Sequence, residues 1–197
     1  MIEEHIRYIR GCYYCKTGTE FDVIQRFNNT FPDGQAIVPT RTKIRRTRFT
    51  ALEEQVPLLP GYVFIQITVK EADTPDIIDE YHVELLKISK MDSVLKLLRY
   101  SDGGWILHGS DDLFAEMLFK TGGNIGLSQA YFDKGDRIRI LDGFLKDYEG
   151  NITSVNRKNK TVEVIVIIQE KKVIMRLGYE LVEPVTKSTE NKAKAKK

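Results

Sequence analysis

The alternation of apolar and polar positions is clearest in Gly61–Val69. In an extended chain Tyr62, Phe64 and the polar Gln66 fall on one face, and Val63, Ile65 and Ile67 on the other. This predicts a strand. Ile6–Cys15 alternates more weakly, but its adjacent Tyr13 and Tyr14 favour a second strand. The turn Lys16-Thr17-Gly18 follows. Thr19 then stands three residues before Asp22 as an approximate capping box, and Phe21, Ile24 and Phe27 recur at helical spacing, so a helix is expected over Glu20–Asn29. Pro32-Asp33-Gly34 marks a turn before a short β-prone piece, Gln35–Val38. Thr74-Pro75 reads as an N-cap with proline at the first helical position, opening a helix through Ile77, Ile78 and Tyr81. Ser93–Tyr100 fits a buried strand. Ser110 can cap a further helix carrying Leu113, Phe114, Met117 and Leu118.

Beyond residue 130 only strand-like segments recur: Asp136–Leu141, Glu149–Val155, Thr161–Ile168 and Lys171–Leu177. Val162, Val164, Val166 and Ile168 keep period two, which a helix would scatter over its surface. Short strands in succession predict a small closed barrel, because closure removes exposed sheet edges. Between the halves, Thr121–Ala130 holds three glycines and no charge, a linker composition. The expected organisation is 1–120 as a mixed α+β domain, 121–130 as linker, 131–184 as an all-β domain and 185–197 as a disordered basic tail.

Composition narrows the class. Of 197 residues, 42% are apolar, enough for a packed core. The longest strictly apolar run is Val164–Ile168, far short of the roughly 20 residues of a membrane span. The amino terminus has neither a basic nor an apolar signal region, and two cysteines make no disulfide scaffold, so a reduced, cytoplasmic protein is expected. The net charge of +2 does not by itself announce a nucleic-acid partner.

Candidate chemistry is sparse. Cys12 and Cys15 form a C-x-x-C, but on a strand the two thiols point to opposite faces, no second pair exists, and His5, His82 and His108 are scattered. No metal and no cofactor is expected. Nucleophile-elbow, phosphate-loop and zinc-protease motifs are absent, so an enzyme is not expected. Trp105, after Gly103-Gly104, is either a packed hairpin residue or a stacking platform. Thr40–Thr50 carries Arg41, Lys43, Arg45, Arg46 and Arg48 and no acid. It reads as a solvated hairpin arm or as a polyphosphate contact with salt-dependent affinity. A second basic group lies in the barrel segment: Arg137, Arg139, Lys146, Arg157, Lys158, Lys160, Lys171 and Lys172. Tyr131–Pro184 is nearly neutral, with ten basic and nine acidic residues, so binding there requires its cations to gather on one side.

Two motifs carry a family resemblance. Lys134-Gly135-Asp136-Arg137-Ile138-Arg139-Ile140, with Gly143, Lys146, Tyr148-Glu149-Gly150 and Ile152, resembles a KOW motif. Pro57-Leu58-Leu59-Pro60-Gly61-Tyr62-Val63-Phe64-Ile65 resembles the Phe-Pro-Gly-Tyr-Val strand of the NusG amino-terminal (NGN) domain, with Leu59 in place of Phe. The strand, Lys-Thr-Gly turn and helix of Cys15–Phe27, followed by Ile37-Val38-Pro39, keep the family's order. Together they resemble the NusG/Spt5 superfamily of transcription factors over about Arg7–Glu183. Arg10-Gly11-Cys12 departs from the Trp-Tyr-Val start of the housekeeping protein. Val94–Tyr100, Ile106-Leu107 and Ser110–Phe114 look more like the specialised paralogue LoaP.

The resemblance implies an α+β NGN domain, an antiparallel sheet flanked by helices, joined by a linker to an SH3-like KOW barrel. It implies a monomeric, non-enzymatic elongation or antitermination factor with no membrane partner. Its NGN domain would bind RNA polymerase at the β′ clamp helices, toward the β gate loop, through Leu59, Tyr62, Phe64 and Tyr14. The Arg41–Arg48 arm would lie near upstream DNA. The barrel would offer Arg137, Arg139, Lys146, Arg157, Lys158, Lys160 and Lys172 to a hairpin in the nascent leader RNA. Ribosomal protein S10 and Rho are alternative barrel partners, as in a general NusG, and a ribosome-associated KOW protein is a further alternative.

Overall fold

The computed structural model describes residues 7–46, 50–69 and 75–183. Its first part is an antiparallel four-stranded sheet. Strand β1 (Arg7–Cys15) leads through helix α1 (Glu20–Thr30) to β2 (Gln35–Ile37). A hairpin of β3 (Thr40–Arg46) and β4 (Ala51–Pro57) projects next, and β5 (Tyr62–Val69) returns to the sheet. Helix α2 (Pro75–Ile88), β6 (Val94–Leu97) and helix α3 (Ser110–Lys120) complete this part. The sheet order is β2-β5-β1-β6.

Alternation along β1 and β5 divides the core in two. Tyr13, Cys15, Val63, Ile65 and Ile67 point to one face, where α1 and α2 supply Phe27, Leu85 and Ile88. Cys12 and Phe64 point to the other, where α3 supplies Phe114 and Leu118. Arg10, also on β1, fixes α3 from the side. Its Nε donates to Gln66 Oε1 and its Nη1 to Asp112 Oδ1, both at 2.8 Å. Tyr13 is fully buried, and its hydroxyl donates to the Leu85 carbonyl at 2.9 Å.

The expected helices and strands are present, with local differences. In α1, Phe21 of the expected apolar stripe faces solvent, and Val23 takes the core side with Phe27. Thr19 is the α1 N-cap residue but makes no side-chain cap bond. Its hydroxyl donates back to the Lys16 carbonyl instead, while the Glu20 carboxylate accepts the N–H groups of Gly18 and Gly61. Gly109, not Ser110, is the N-cap of α3, and Leu113 faces solvent because Phe114 and Leu118 take the core side. The strand expected over Ser93–Tyr100 is four residues long, Val94–Leu97, and the Leu98 N–H makes one further bond to the Cys12 carbonyl of β1. Trp105 is packed, not a platform: it is buried where Gly11 leaves room for its ring. Thr74 and the tail from 186 onward lie outside the described residues.

The second part is all β. Strands β8 (Ser128–Phe132), β9 (Ile138–Asp142), β10 (Ile152–Asn156), β11 (Thr161–Ile168) and β12 (Lys171–Leu181) form a five-stranded sheet in the order β10-β11-β12-β8-β9. No backbone ladder joins β9 to β10, so the expected closed barrel is not closed by strand pairing. A 3-10 helix (Phe144–Asn151) connects these strands and takes residues 149–151, so the strand expected over Glu149–Val155 begins only at Ile152. Arg157 spans the gap to Asp136 at 2.7 Å with its guanidinium 4.0 Å above the Phe132 ring. The stretch expected as a plain linker is also structured. Strand β7 (Asn124–Ile125) pairs in parallel with β3, and Ser128–Ala130 already belongs to the barrel sheet.

Gly61 ends the turn before β5 at φ 84°, and a Cβ there would stand 2.7 Å from the Cys15 carbonyl oxygen. Gly61→Ala is therefore expected to lower stability by about 2 kcal/mol through backbone strain and displaced β1–β5 pairing. Chemical denaturation checks this; an unchanged midpoint would show that the turn relaxes freely.

Candidate functional site

The motif strand β5 is covered on both faces, so its apolar side chains are not equally available. Leu59 and Phe64, expected as docking residues, are buried, at 2% and 0% exposure. Phe64 meets Phe114 of α3 edge to face at 5.6 Å, and Phe114 meets Phe144 of the 3-10 helix at 5.9 Å. Phe144 stacks on Tyr148 at 4.7 Å. One hydrophobic cluster thus runs from the first sheet through α3 into the barrel, where Leu145, Val164, Met175 and Leu177 continue it. Tyr14 and Tyr62 remain half-buried at its margin, with ring centroids 5.1 Å apart. Of the four expected docking residues, these two are the pair reachable from solvent in this arrangement.

Polar contacts lock the two parts together. The turn Gln169-Glu170 joins β11 to β12 with both residues at positive φ. Its tip reaches the first part: Gln169 N–H donates to Asp111 Oδ2 at 2.8 Å, and the Glu170 carboxylate accepts from Ser101 N–H and Oγ at 3.0 and 2.9 Å. Asp111 Oδ2 also accepts the Tyr100 hydroxyl at 2.7 Å. Burial and that carboxylate push the Tyr100 pKa up, so the phenol stays a donor. At its other end the same hairpin touches the basic arm: a Cβ on Gly178 of β12 would lie 3.1 Å from the Thr42 carbonyl oxygen. The barrel is therefore docked, held at both ends of one hairpin.

The expected cations separate into groups. Arg139 is bonded to Asp133 and Glu149, and Asp133 also accepts the Arg137 and Gly135 N–H groups, which holds its carboxyl below the usual range. Arg157 is held by Asp136 and Phe132. These two arginines shape the loop of the KOW-like segment rather than standing free. Arg137, Lys146 and Lys172 are exposed. Arg41 and Lys43 from the arm come together with Lys158 and Lys160 from the barrel, and Arg176 joins them. Sequence reasoning missed Arg176; on β12 it stands opposite Glu163, a pairing that only the strand register makes visible. Arg45 is exposed farther along the arm. The side chain of Arg46 and all of Arg48 lie outside the described residues.

Cys12 and Cys15 are buried in different clusters, on opposite faces of β1. Burial raises both thiol pKa values; that of Cys15 is pushed up to about 11, with the Glu20 carboxylate adding to it. Neither geometry nor acidity suits a shared metal or a reactive thiolate.

Sequence comparison bears on this arrangement. The chain is 24% identical over 163 residues to the transcription termination/antitermination protein NusG of Borreliella burgdorferi, covering 81% of this chain and 84% of that protein. Over that stretch the chain is homologous to NusG. No family model matches it. Among solved structures, one described as "Domain interaction in Thermotoga maritima NusG" aligns with 87% of this chain and 94% of that one, at 16% identity and a TM-score of 0.42.

Asp111→Ala leaves the Gln169 N–H and the Tyr100 hydroxyl without their acceptor. It is expected to weaken docking by about 2 kcal/mol. Hydrogen exchange should rise at residues 168–171 and in α3, and unchanged exchange would assign docking to the aromatic contacts alone. Both thiols are expected to resist iodoacetamide at pH 8 in the native protein and to react once it is unfolded. Mass spectrometry reads this, and native labelling of either cysteine would contradict the burial described.

Proposed function

We infer that the protein is a NusG-type transcription factor that binds elongating RNA polymerase through its first module. The observation that carries this is sequence homology to NusG along both parts of the chain. Support comes from the Pro60-Gly61-Tyr62-Val63-Phe64 strand sitting in the sheet with aromatic side chains at its margin. In this reading 1–120 is the NGN domain, 131–184 the KOW domain and 185–197 a basic tail. The site of action is the cytoplasm, and the role is binding rather than catalysis.

Polymerase contact is assigned to Tyr14 and Tyr62, whose rings combine apolar area with a hydroxyl that tolerates a wet rim. Leu59 and Phe64 can contribute only if α3 and the barrel move. The consequence for polymerase is a population shift toward the elongating form, limited by the factor's differential affinity for the two forms. The β′ clamp helices and β gate loop are the expected polymerase elements. The specialised, LoaP-like reading assigns nascent leader RNA to the barrel and antitermination to the complex. The gathered cations of Arg41, Lys43, Lys158, Lys160 and Arg176 favour it, because they present a polyphosphate surface. A general elongation and termination role, with S10 or Rho on the barrel, is the second reading, favoured by the name of the Borreliella relative.

The test is capture of RNA polymerase by the full chain. Tyr62→Ala is expected to reduce capture roughly tenfold or more, as loss of a central aromatic contact does. Wild-type protein that captures no polymerase, or a Tyr62→Ala variant that captures it equally well, would refute the assignment.

A further inference from the structure

The cleft where the arm meets the barrel has a volume of about 570 Å³, and Arg41, Lys43, Lys158, Lys160 and Arg176 are five of its eight lining residues. All five are cationic, and they come from both modules. Among the described residues, Glu163 is the carboxylate bonded to any of them, and it holds Arg176 alone. Arg41 Nη1 is buried and has no hydrogen-bond partner. Burial and the neighbouring Arg176 guanidinium both lower the Arg41 pKa, the signature of a cation short of an anion. Lys160 is held at φ 50°, a conformation that a lysine adopts at a cost and a glycine would not. The turn that carries it is tied by Asn156 Oδ1 accepting the Asn159 N–H at 2.9 Å, and by the Tyr179 N–H donating to the Lys160 carbonyl. The cations are therefore held on ordered backbone, and among the described residues only Arg176 has an ion-pair partner.

An isolated small anion can meet only one or two of these groups. A chain of successive phosphates can meet several at once, with release of its condensed counterions. We propose that this cleft binds the phosphodiester backbone of nucleic acid and exists only while the barrel is docked, so that backbone binding and docking strengthen each other. Three of the five cations leave with the barrel if it undocks, and linkage then requires the reciprocal effect. This rests on the reading above that the chain contacts nucleic acid, and it adds where and in which state.

The experiment uses the full chain and a short fluorescein-labelled oligouridylate, with affinity measured by anisotropy over a salt series. Arg41→Ala and Lys158→Ala are each expected to reduce the slope of log affinity against log salt by about 0.7 and to weaken binding roughly threefold. Lys158 is exposed, so that variant reports even if Arg41→Ala fails to fold. Arg26→Ala on α1 removes an exposed cation outside the cleft and should leave the slope unchanged. The decisive variant is Ser101→Ala/Glu170→Ala, which opens the far end of the docked hairpin and removes no cation. It makes the protein more positive, so diffuse attraction predicts tighter binding; an assembled cleft predicts weaker binding. Equal or tighter binding by that variant, or a slope change in Arg26→Ala matching that in Arg41→Ala, overturns the proposal. Displacement of the RNA by inorganic tripolyphosphate at equal phosphate concentration would give the site to small polyanions instead. Polymerase capture by the same proteins separates the two levels: capture without a cleft effect sinks this proposal alone, and no capture sinks the reading beneath it.

Discussion

The run of rings from Phe64 through Phe114 to Phe144 carries the hydrophobic core across what the chain composition marks as a domain boundary. Each contact alone is a modest edge-to-face interaction, worth about 1 kcal/mol beyond its buried area. Its importance lies in continuity. Phe114 touches a ring on each side, so α3 is at once the outer layer of the first sheet and the seat of the barrel. Removing the barrel would expose apolar surface on α3 and on the 3-10 helix together, which the hydrophobic effect opposes.

Direction is supplied by polar groups. Aromatic burial tolerates sliding, whereas the Asp111 carboxylate accepting both Gln169 N–H and the Tyr100 hydroxyl does not. The β11–β12 hairpin is fixed at its turn by Asp111 and Ser101, and its other end runs beside Thr42 of the arm. A rigid hairpin held at two ends sets the orientation of the whole barrel. The same placement brings Lys158, Lys160 and Arg176 against Arg41 and Lys43. Like charges gathered in this way raise the energy of the docked arrangement, and an anion between them reverses the sign of that contribution.

Electrostatics also explains why the basic residues do not act as one set. Arg139 and Arg157 lie among acids of their own loop and are consumed in local ion pairs. Exposed pairs of this kind contribute little to stability but they fix the guanidinium groups in place. Among the described cleft cations only Arg176 is held in such a pair, by Glu163; Lys43 stands across the arm from Glu54 without an ion pair. The distinction separates residues that build the KOW-like turn from residues that remain open to a ligand.

Local pattern sufficed for the elements. Period-two alternation fixed β5 and β11, helical spacing fixed α1, and the order of turns placed the KOW-like and NGN-like motifs, because neighbours along the chain decide backbone conformation and the face each side chain takes. The opposed faces of Cys12 and Cys15 followed from the same alternation. What pattern could not supply was which face meets which: Phe64 reads identically whether it awaits a partner or lies beneath α3, and Thr121–Ala130 has linker composition while contributing to two sheets. The gathering of Arg41 with Arg176, 135 positions apart in the chain, is likewise invisible before folding. Alternation and helical spacing are short-range properties of the sequence, whereas burial, docking and charge clustering depend on packing between segments whose separation along the chain carries no information about their distance in space.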